Sequence, residues 1–531
     1  MPLMLSSTLK NQSNTRPKVH TLIASYLVFF LSFIGFLSLL FVLFLNLPEN
    51  SFFRLQIETG ADWLQDSWAQ IFDKSESPLS SQNEIVESLA ESDSNNEVDP
   101  QILKDSTLWP RELDILSDHK PSEIGSQNSS PLINPNPFQR LDALKDPLDR
   151  VDAQFSIPDS LFKRTQFWFD VYTRYDSNVH IIHHMRYPWI VFKVIDTREM
   201  VAKGKGPLWL RRERAQKHVA QEKAQIIHIL RRLSKINSFA HLSPSEQALF
   251  DAINELPGNR SSAFRFAAQN VRSQLGQMDF FVSGLRWSQR YIPYMEEIFS
   301  AQGLPADLTR LPFVESSFNV KAQSKVGASG IWQIMPRTGK AYLNVSSDID
   351  ERNSPLKATL AAARILRSYF HALKSWPLAV TGYNHGIGGV LKARRKVQSS
   401  DLATIIRKYH GGSFKFASSN FYTCFLAALY AEKYHNEIFP FAVKDDLLER
   451  EVIKIESPLR LKRLASLTGL DVDVIIELNL DLRNSSSSNP LLPRGFDLHL
   501  PPGFGSQLKR KVGQENSVPK TKANSVKVGQ N

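Results

Sequence analysis

The stretch Leu304-Pro305-Ala306-Asp307-Leu308-Thr309-Arg310-Leu311-Pro312-Phe313-Val314-Glu315-Ser316-Ser317-Phe318-Asn319 sets one carboxylate, Glu315, among Leu311, Phe313, Val314 and Phe318. Gly303 supplies a stop for one helix and Pro305 suits the first turn of the next, so the pattern predicts Glu315 near the C-terminal end of that second helix. Both circumstances disfavour an anion: the helix end carries partial negative charge, and apolar neighbours remove solvating water. A carboxyl group that keeps its proton near neutrality is a candidate general acid, and burial of this kind lifts a carboxyl pKa to about 6 in known cases. The competing reading is an ordinary helix-terminal Glu bonded to a local Arg.

His180, His183 and His184 also sit close together, and histidine is a common metal ligand. Their spacing is not that of an HExxH helix and no carboxylate stands in the right place beside them, so they read as packed or surface histidines and no metal site is expected. The single cysteine, Cys424, excludes an intrachain disulfide and any cysteine-based metal cluster. One thiol in so long a chain fits an oxidising compartment.

Two further segments follow Glu315. Gly327-Ala328-Ser329-Gly330-Ile331-Trp332-Gln333-Ile334-Met335-Pro336-Arg337-Thr338-Gly339 reads as a loop leading into a helix that starts near Pro336, and Gly382-Tyr383-Asn384-His385-Gly386 ends another helix in a glycine-rich turn. With Glu315-Ser316 these resemble, in order and spacing, the three motifs of the lytic transglycosylase family of the lysozyme superfamily, in its membrane-bound murein transglycosylase D branch. The resemblance covers about residues 290–440 strongly and extends upstream to 158. It implies a lysozyme-like helical catalytic domain in which Glu315 is the single catalytic acid and base. It further implies that Ser316, Ser324, Gln333, Met335, Tyr383, Asn384 and Tyr422 bind substrate, with Tyr422 approaching the catalytic Glu. No metal or organic cofactor is implied. This sequence departs from the pattern at Gly382, where Ala is usual, at Val320 in place of a common Pro, and at Ser418-Ser419 in place of Glu-Thr.

The implied reaction cleaves the β-1,4 bond between N-acetylmuramic acid and N-acetylglucosamine in peptidoglycan. An ordinary glycosidase needs two carboxyl groups, whereas the family's chemistry uses one. Glu315 would protonate the leaving oxygen, then take the proton of the muramyl 6-hydroxyl as that oxygen attacks C1, giving a 1,6-anhydro sugar.

The elements that position these residues read as mainly α. Helical periodicity runs through Arg211–Lys235, Ser262–Gln277 and Ser288–Gln302, with a short buried strand over Trp189–Ile195. The expected order is a cytoplasmic N-terminus at 1–20, a transmembrane anchor at 21–46, an acidic disordered spacer at 47–157 and a mainly helical domain at 158–290. The catalytic domain follows at 291–445, then a small module at 450–503 and a basic disordered tail at 504–531. Leu22 to Leu45 carries no charge, and as a helix would span about 36 Å, enough to cross a bilayer. Lys10, Arg16 and Lys18 precede it while Glu49, Glu58 and Asp62 follow, which places the catalytic part on the periplasmic side of the bacterial inner membrane in a single-pass chain. The module runs strand, helix, helix, strand and resembles a divergent LysM unit, which in its family binds the N-acetylglucosamine backbone.

Charge is distributed unevenly: +2 over residues 1–50, −11 over 51–150 and +20 over 151–531. A basic body suits an anionic polymer, and the peptide stems of peptidoglycan carry carboxylates. Nucleic acid is not expected as a partner, because that body would be exported. Two alternatives remain open at this level: a goose-type lysozyme-like hydrolase using Asp348, Asp350 or Glu351 as second carboxylate, and a non-catalytic peptidoglycan-binding scaffold.

Overall fold

The computed structural model describes residues 138–443, 445–483 and 489–517. The expected cytoplasmic N-terminus, the membrane anchor at 21–46, most of the acidic spacer and the tail from 518 lie outside these residues. Among the described residues no helix is long and apolar enough to cross a membrane.

Helix α1 (Asp159–Thr173) turns Phe167, Trp168, Phe169, Val171 and Tyr172 inward. It leads into a sheet of order β2-β1-β3, in which β1 (Val179–His184) lies between β2 (Val191–Asp196) and β3 (Val271–Leu275), antiparallel to both. Between β2 and β3 run α2 (Arg198–Lys203), α3 (Leu208–Leu233), α4 (Pro244–Ala252) and α5 (Arg260–Gln269). The buried residues of α3 are Ala215, Val219, Ile226, Leu230 and Leu233, a spacing that lines one helix face. Helix α4 starts on a capping box between Ser243 and Glu246, with Pro244 in its first turn. These elements close on a core of their own, built around Ile182, Ile195, Leu230 and Phe264.

The larger core belongs to the helices that follow: α6 (Met278–Ser288), α7 (Ile292–Ala301), α8 (Leu311–Ser316), α9 (Pro336–Tyr342), α10 (Pro355–Leu373), α11 (Trp376–His385), α12 (Ile387–Val397), α13 (Leu402–Lys408), α14 (Phe416–Lys433) and α15 (His435–Ile438). Helix α14 is buried on nearly every face, as expected of a helix apolar all round, and α1, α8 and α11 pack against it. Helix α1 joins this core rather than that of the sheet, since Phe167, Trp168 and Phe169 share it with Phe425 and Phe416. The two cores therefore divide the chain differently from a boundary at 290.

The C-terminal module comprises β4 (Glu451–Lys454), β5 (Leu459–Arg460), α16 (Leu461–Thr468), α17 (Val472–Leu478), β6 (Leu491–Leu492), β7 (Asp497–Leu500) and α18 (Phe504–Ser517). β4 pairs with β7 and β5 with β6, both antiparallel. The two helices lie between β4 and β7, with β5, β6 and α18 in addition to the four elements expected.

Three expectations are corrected. Residues 138–157 are packed, not spacer: Phe155 is fully buried edge-on to Phe425 at 5.4 Å, and Tyr434 donates its hydroxyl to Asp146 at 2.6 Å. The segment folds as two 3-10 turns, Arg140–Lys145 and Ala153–Phe155, whose period differs from the 3.6 of an α-helix and leaves no helical pattern. Residues 504–517 form α18, whose Phe504, Leu508 and Val512 recur every fourth position along one side of an otherwise basic segment. The expected helix at Ser262–Gln277 stops at Gln269, because Val271–Leu275 pairs with β1 and tertiary pairing overrides local propensity.

Candidate active site

Glu315 is the penultimate residue of α8, which follows a 3-10 turn at Ala306–Arg310. The chain after it reverses through two consecutive left-handed residues, Ser317 (φ 50°) and Phe318 (φ 56°). For non-glycine residues that conformation costs about 1–2 kcal/mol each. It is offset by burial of Phe318, which packs on Phe313 at 4.8 Å. Gly284 of α6 lies against this turn: a Cβ there would come within 2.7 Å of the Ser317 carbonyl oxygen.

The carboxyl of Glu315 is pushed up to about 8, and loss of solvation is the cause. Glu315 is half-buried and has no hydrogen-bond or ion-pair partner among the described residues. The local arginine that would have neutralised it is engaged elsewhere. Arg310 is buried, donates Nε to Glu432 at 2.8 Å and also pairs with Glu296. Burial alone would lower the Arg310 pKa, but the two carboxylates outweigh it and hold the guanidinium charged. Lys433 is likewise taken by Asp307 at 2.8 Å.

The segment from Ala322 to Met335 lies beside α8. Trp332 is fully buried, stacks on Phe299 at 5.8 Å and donates Nε1 to the Thr359 hydroxyl at 2.8 Å. That anchor fixes Gln333, whose φ of 46° is left-handed. Its side-chain amide donates to the carbonyls of Gly330 at 2.8 Å and Ala322 at 3.3 Å, which leaves the amide oxygen as the free acceptor. Ser324 closes the loop by accepting the Ala328 N–H at 2.8 Å. Met335 is half-buried ahead of α9. From α11, the Tyr383 hydroxyl donates to the Trp332 carbonyl at 3.0 Å. Neighbouring Asn384 holds a buried Oδ1 with no donor among the described residues.

Two expected contacts differ. Ser316 is 1% exposed and its hydroxyl bonds the Ile331 carbonyl at 2.9 Å. It ties α8 to the loop and presents no surface to a ligand. Tyr422 is buried beside Phe425, and burial pushes its hydroxyl pKa up with no contribution from Glu315. The tyrosines within electrostatic reach of Glu315 are Tyr383 and Tyr172, both pushed up by burial and, more weakly, by that carboxylate. Tyr172 comes from α1, and its hydroxyl lies beside the buried thiol of Cys424. Sequence reasoning missed it because α1 carries none of the motifs.

The other candidates are engaged. Asp350 is buried and paired with Arg352 at 2.7 Å and Arg483 at 2.9 Å, and Glu351 meets Lys357 at 3.2 Å. Neither these nor Asp348 contributes to the shift of Glu315. His180, His183 and His184 are buried on β1, and burial drives them down to about 4, 3 and 3, so they are neutral. Among the described residues no group of side chains could hold a metal ion.

Comparison with known proteins fits this arrangement. Residues 299–406, which carry Glu315 and the next two segments, match the family described as the transglycosylase SLT domain. Over 202 residues the chain is 27% identical to the membrane-bound lytic murein transglycosylase D of Escherichia coli strain K12, and equally to that of the O6:H1 strain. Over 115 residues it is 30% identical to a protein of Alteromonas sp. named for tributyltin chloride resistance. The aligned part covers 36% of this chain and 44% of each murein transglycosylase, against 21% and 55% for the Alteromonas protein. The chain thus spans less than half the length of the first two relatives. Tyr422 and Tyr172 lie outside the matched SLT domain.

Proposed function

We propose that the protein is a peptidoglycan lytic transglycosylase, with Glu315 as the sole acid and base. The observation that carries this reading is a half-buried, unpartnered carboxyl with its pKa raised to about 8 in an SLT domain. At neutral pH Glu315 holds its proton and donates it to the glycosidic oxygen between N-acetylmuramic acid and N-acetylglucosamine. The resulting carboxylate then takes the proton of the muramyl 6-hydroxyl as that oxygen bonds to C1, which closes the 1,6-anhydro ring and restores the acid. The free oxygen of Gln333 and the unpartnered Oδ1 of Asn384 are acceptors suited to the N–H and O–H groups of the sugars.

The one-carboxylate route is favoured over a two-carboxylate hydrolase because Asp350 and Glu351 are ion-paired and no second carboxylate acts on Glu315. The uncharged run at 21–46 supplies the membrane anchor in this reading, with catalysis on the periplasmic side. The C-terminal module adds a LysM-like contact to the same glycan. The test is the mass of muropeptides released from purified peptidoglycan. The parent yields anhydro products, lighter by one water than hydrolytic ones, and Glu315→Gln yields none. Reducing-end products, or equal release by Glu315→Gln, overturn the assignment.

A further inference from the structure

A charged network joins the C-terminal module to the loop that carries Ser324 and Gln333. Arg352, 5% exposed, grips Asp350 in a two-point fork, Nε to Oδ1 at 2.8 Å and Nη2 to Oδ2 at 2.7 Å. Its remaining nitrogen, Nη1, donates to the carbonyls of Gly327 at 2.7 Å and Ile334 at 3.1 Å, on either side of the loop. Ser329 is held to Asn353 at 2.6 Å, and Gly330, at φ +75°, sits so close to the Arg352 carbonyl that any Cβ would collide with it.

The opposite side of Asp350 belongs to the module. Arg483 Nη2 reaches Asp350 Oδ2 at 2.9 Å, and the Asp350 N–H donates to the Asp481 carbonyl at 2.7 Å. Lys357 of α10 pairs with Asp481 at 2.7 Å and lies 4.1 Å from the centre of the Phe496 ring. Ile349 packs into the module's own core, with Leu482 as its bridge partner. A buried ion pair adds little net stability against an apolar alternative, but fork geometry fixes position, and here it fixes the two ends of one loop.

We propose that the C-terminal module braces this loop: Arg352 and Asp350 are positioning residues for Ser324 and Gln333, and Arg483 and Asp481 hold them in register. The kinetic part of the inference rests on the reading of the loop as a saccharide contact; the mechanical part does not.

The experiment uses the full chain with Arg483→Met, at a side chain 45% exposed, and Arg352→Lys, which keeps the charge and loses the fork. Hydrogen exchange is followed in peptides covering 322–334, with peptides of α14 as internal control. In Arg483→Met the loop exchanges about tenfold faster while α14 is unchanged, in keeping with the loss of one charge-assisted bond. On solubilised glycan strands KM rises about threefold to tenfold with kcat held within about twofold, and Arg352→Lys shows the larger change. Unchanged loop exchange in Arg483→Met overturns the brace. Faster exchange of loop and α14 together makes Arg483 a general stability residue and does the same. Faster loop exchange with KM unchanged overturns the positioning role. Should Arg352→Lys fail to fold, Arg483→Met decides alone. Should the parent fail to cleave glycan, the functional reading falls while the exchange comparison still judges the brace.

Discussion

Glu315→Gln should make the protein more stable, and increasingly so as pH rises. Below about pH 4.5, the ordinary value for a Glu carboxyl, the group is protonated whether the chain is folded or not, and parent and variant differ little. Between there and about 8 the unfolded chain releases the proton and the folded chain keeps it. Each pH unit in that window costs the parent about 1.4 kcal/mol of folding free energy. The full shift from 4.5 to about 8 corresponds to about 3 kcal/mol at pH 7 and about 5 kcal/mol by pH 9. Glu315 keeps part of its surface open, which screens the penalty, so about 2–3 kcal/mol is expected at pH 7. Glutamine has the same shape and no charge to desolvate, so it escapes this loss. Equilibrium urea unfolding of both proteins, followed by tryptophan fluorescence from about pH 4 to about pH 9, gives the difference directly. A gap that stays constant across that range refutes the desolvated-acid argument, as does a parent more stable than the variant at pH 8.

Arg310→Met leaves Glu432 and Glu296 without their shared cation in a buried setting, and should lower stability by about 3–5 kcal/mol in urea unfolding. A loss under about 1 kcal/mol would show that the network is solvated. Gly284→Ala drives a Cβ to 2.7 Å from the Ser317 carbonyl and should cost about 1–3 kcal/mol. Because that carbonyl belongs to the turn after Glu315, glycan cleavage measured well below the unfolding transition should fall as well, and an unchanged rate would detach Gly284 from the site.

Much of the site could be read in order along the chain. The apolar setting of Glu315, the loop before Pro336 and the helix end at Tyr383-Asn384 are local features, and local features leave patterns. What stayed hidden depends on packing between distant segments. Tyr172 reaches Cys424 and the field of Glu315 only because α1 packs against α14. The Ser316 hydroxyl turned inward because the Ile331 carbonyl lies across from it, 15 residues on. The 3-10 turns at Arg140–Lys145 and Ala153–Phe155 lack the α-helical period, so Phe155 gave no sign that it is buried. The strand at Val271–Leu275 looked like the continuation of a helix until its partner β1 was in place.

The buried ion pairs around Glu315 are best understood by what they withhold. A guanidinium turned toward this carboxyl would lower its pKa by about 1–3 units and leave an anion at neutral pH, unable to donate a proton. Arg310, five positions before Glu315, is the nearest candidate in sequence, and Glu432 and Glu296 fully occupy it. Asp307 does the same to Lys433, and Asp350 to Arg352. Each carboxylate in these pairs is neutralised in turn, so none acts on Glu315 from the other direction, and desolvation alone sets its pKa. Such pairs contribute little net stability. Their service to the site is to keep Arg310, Lys433 and Arg352 engaged with other carboxylates, so that none of the three turns Glu315 into an anion.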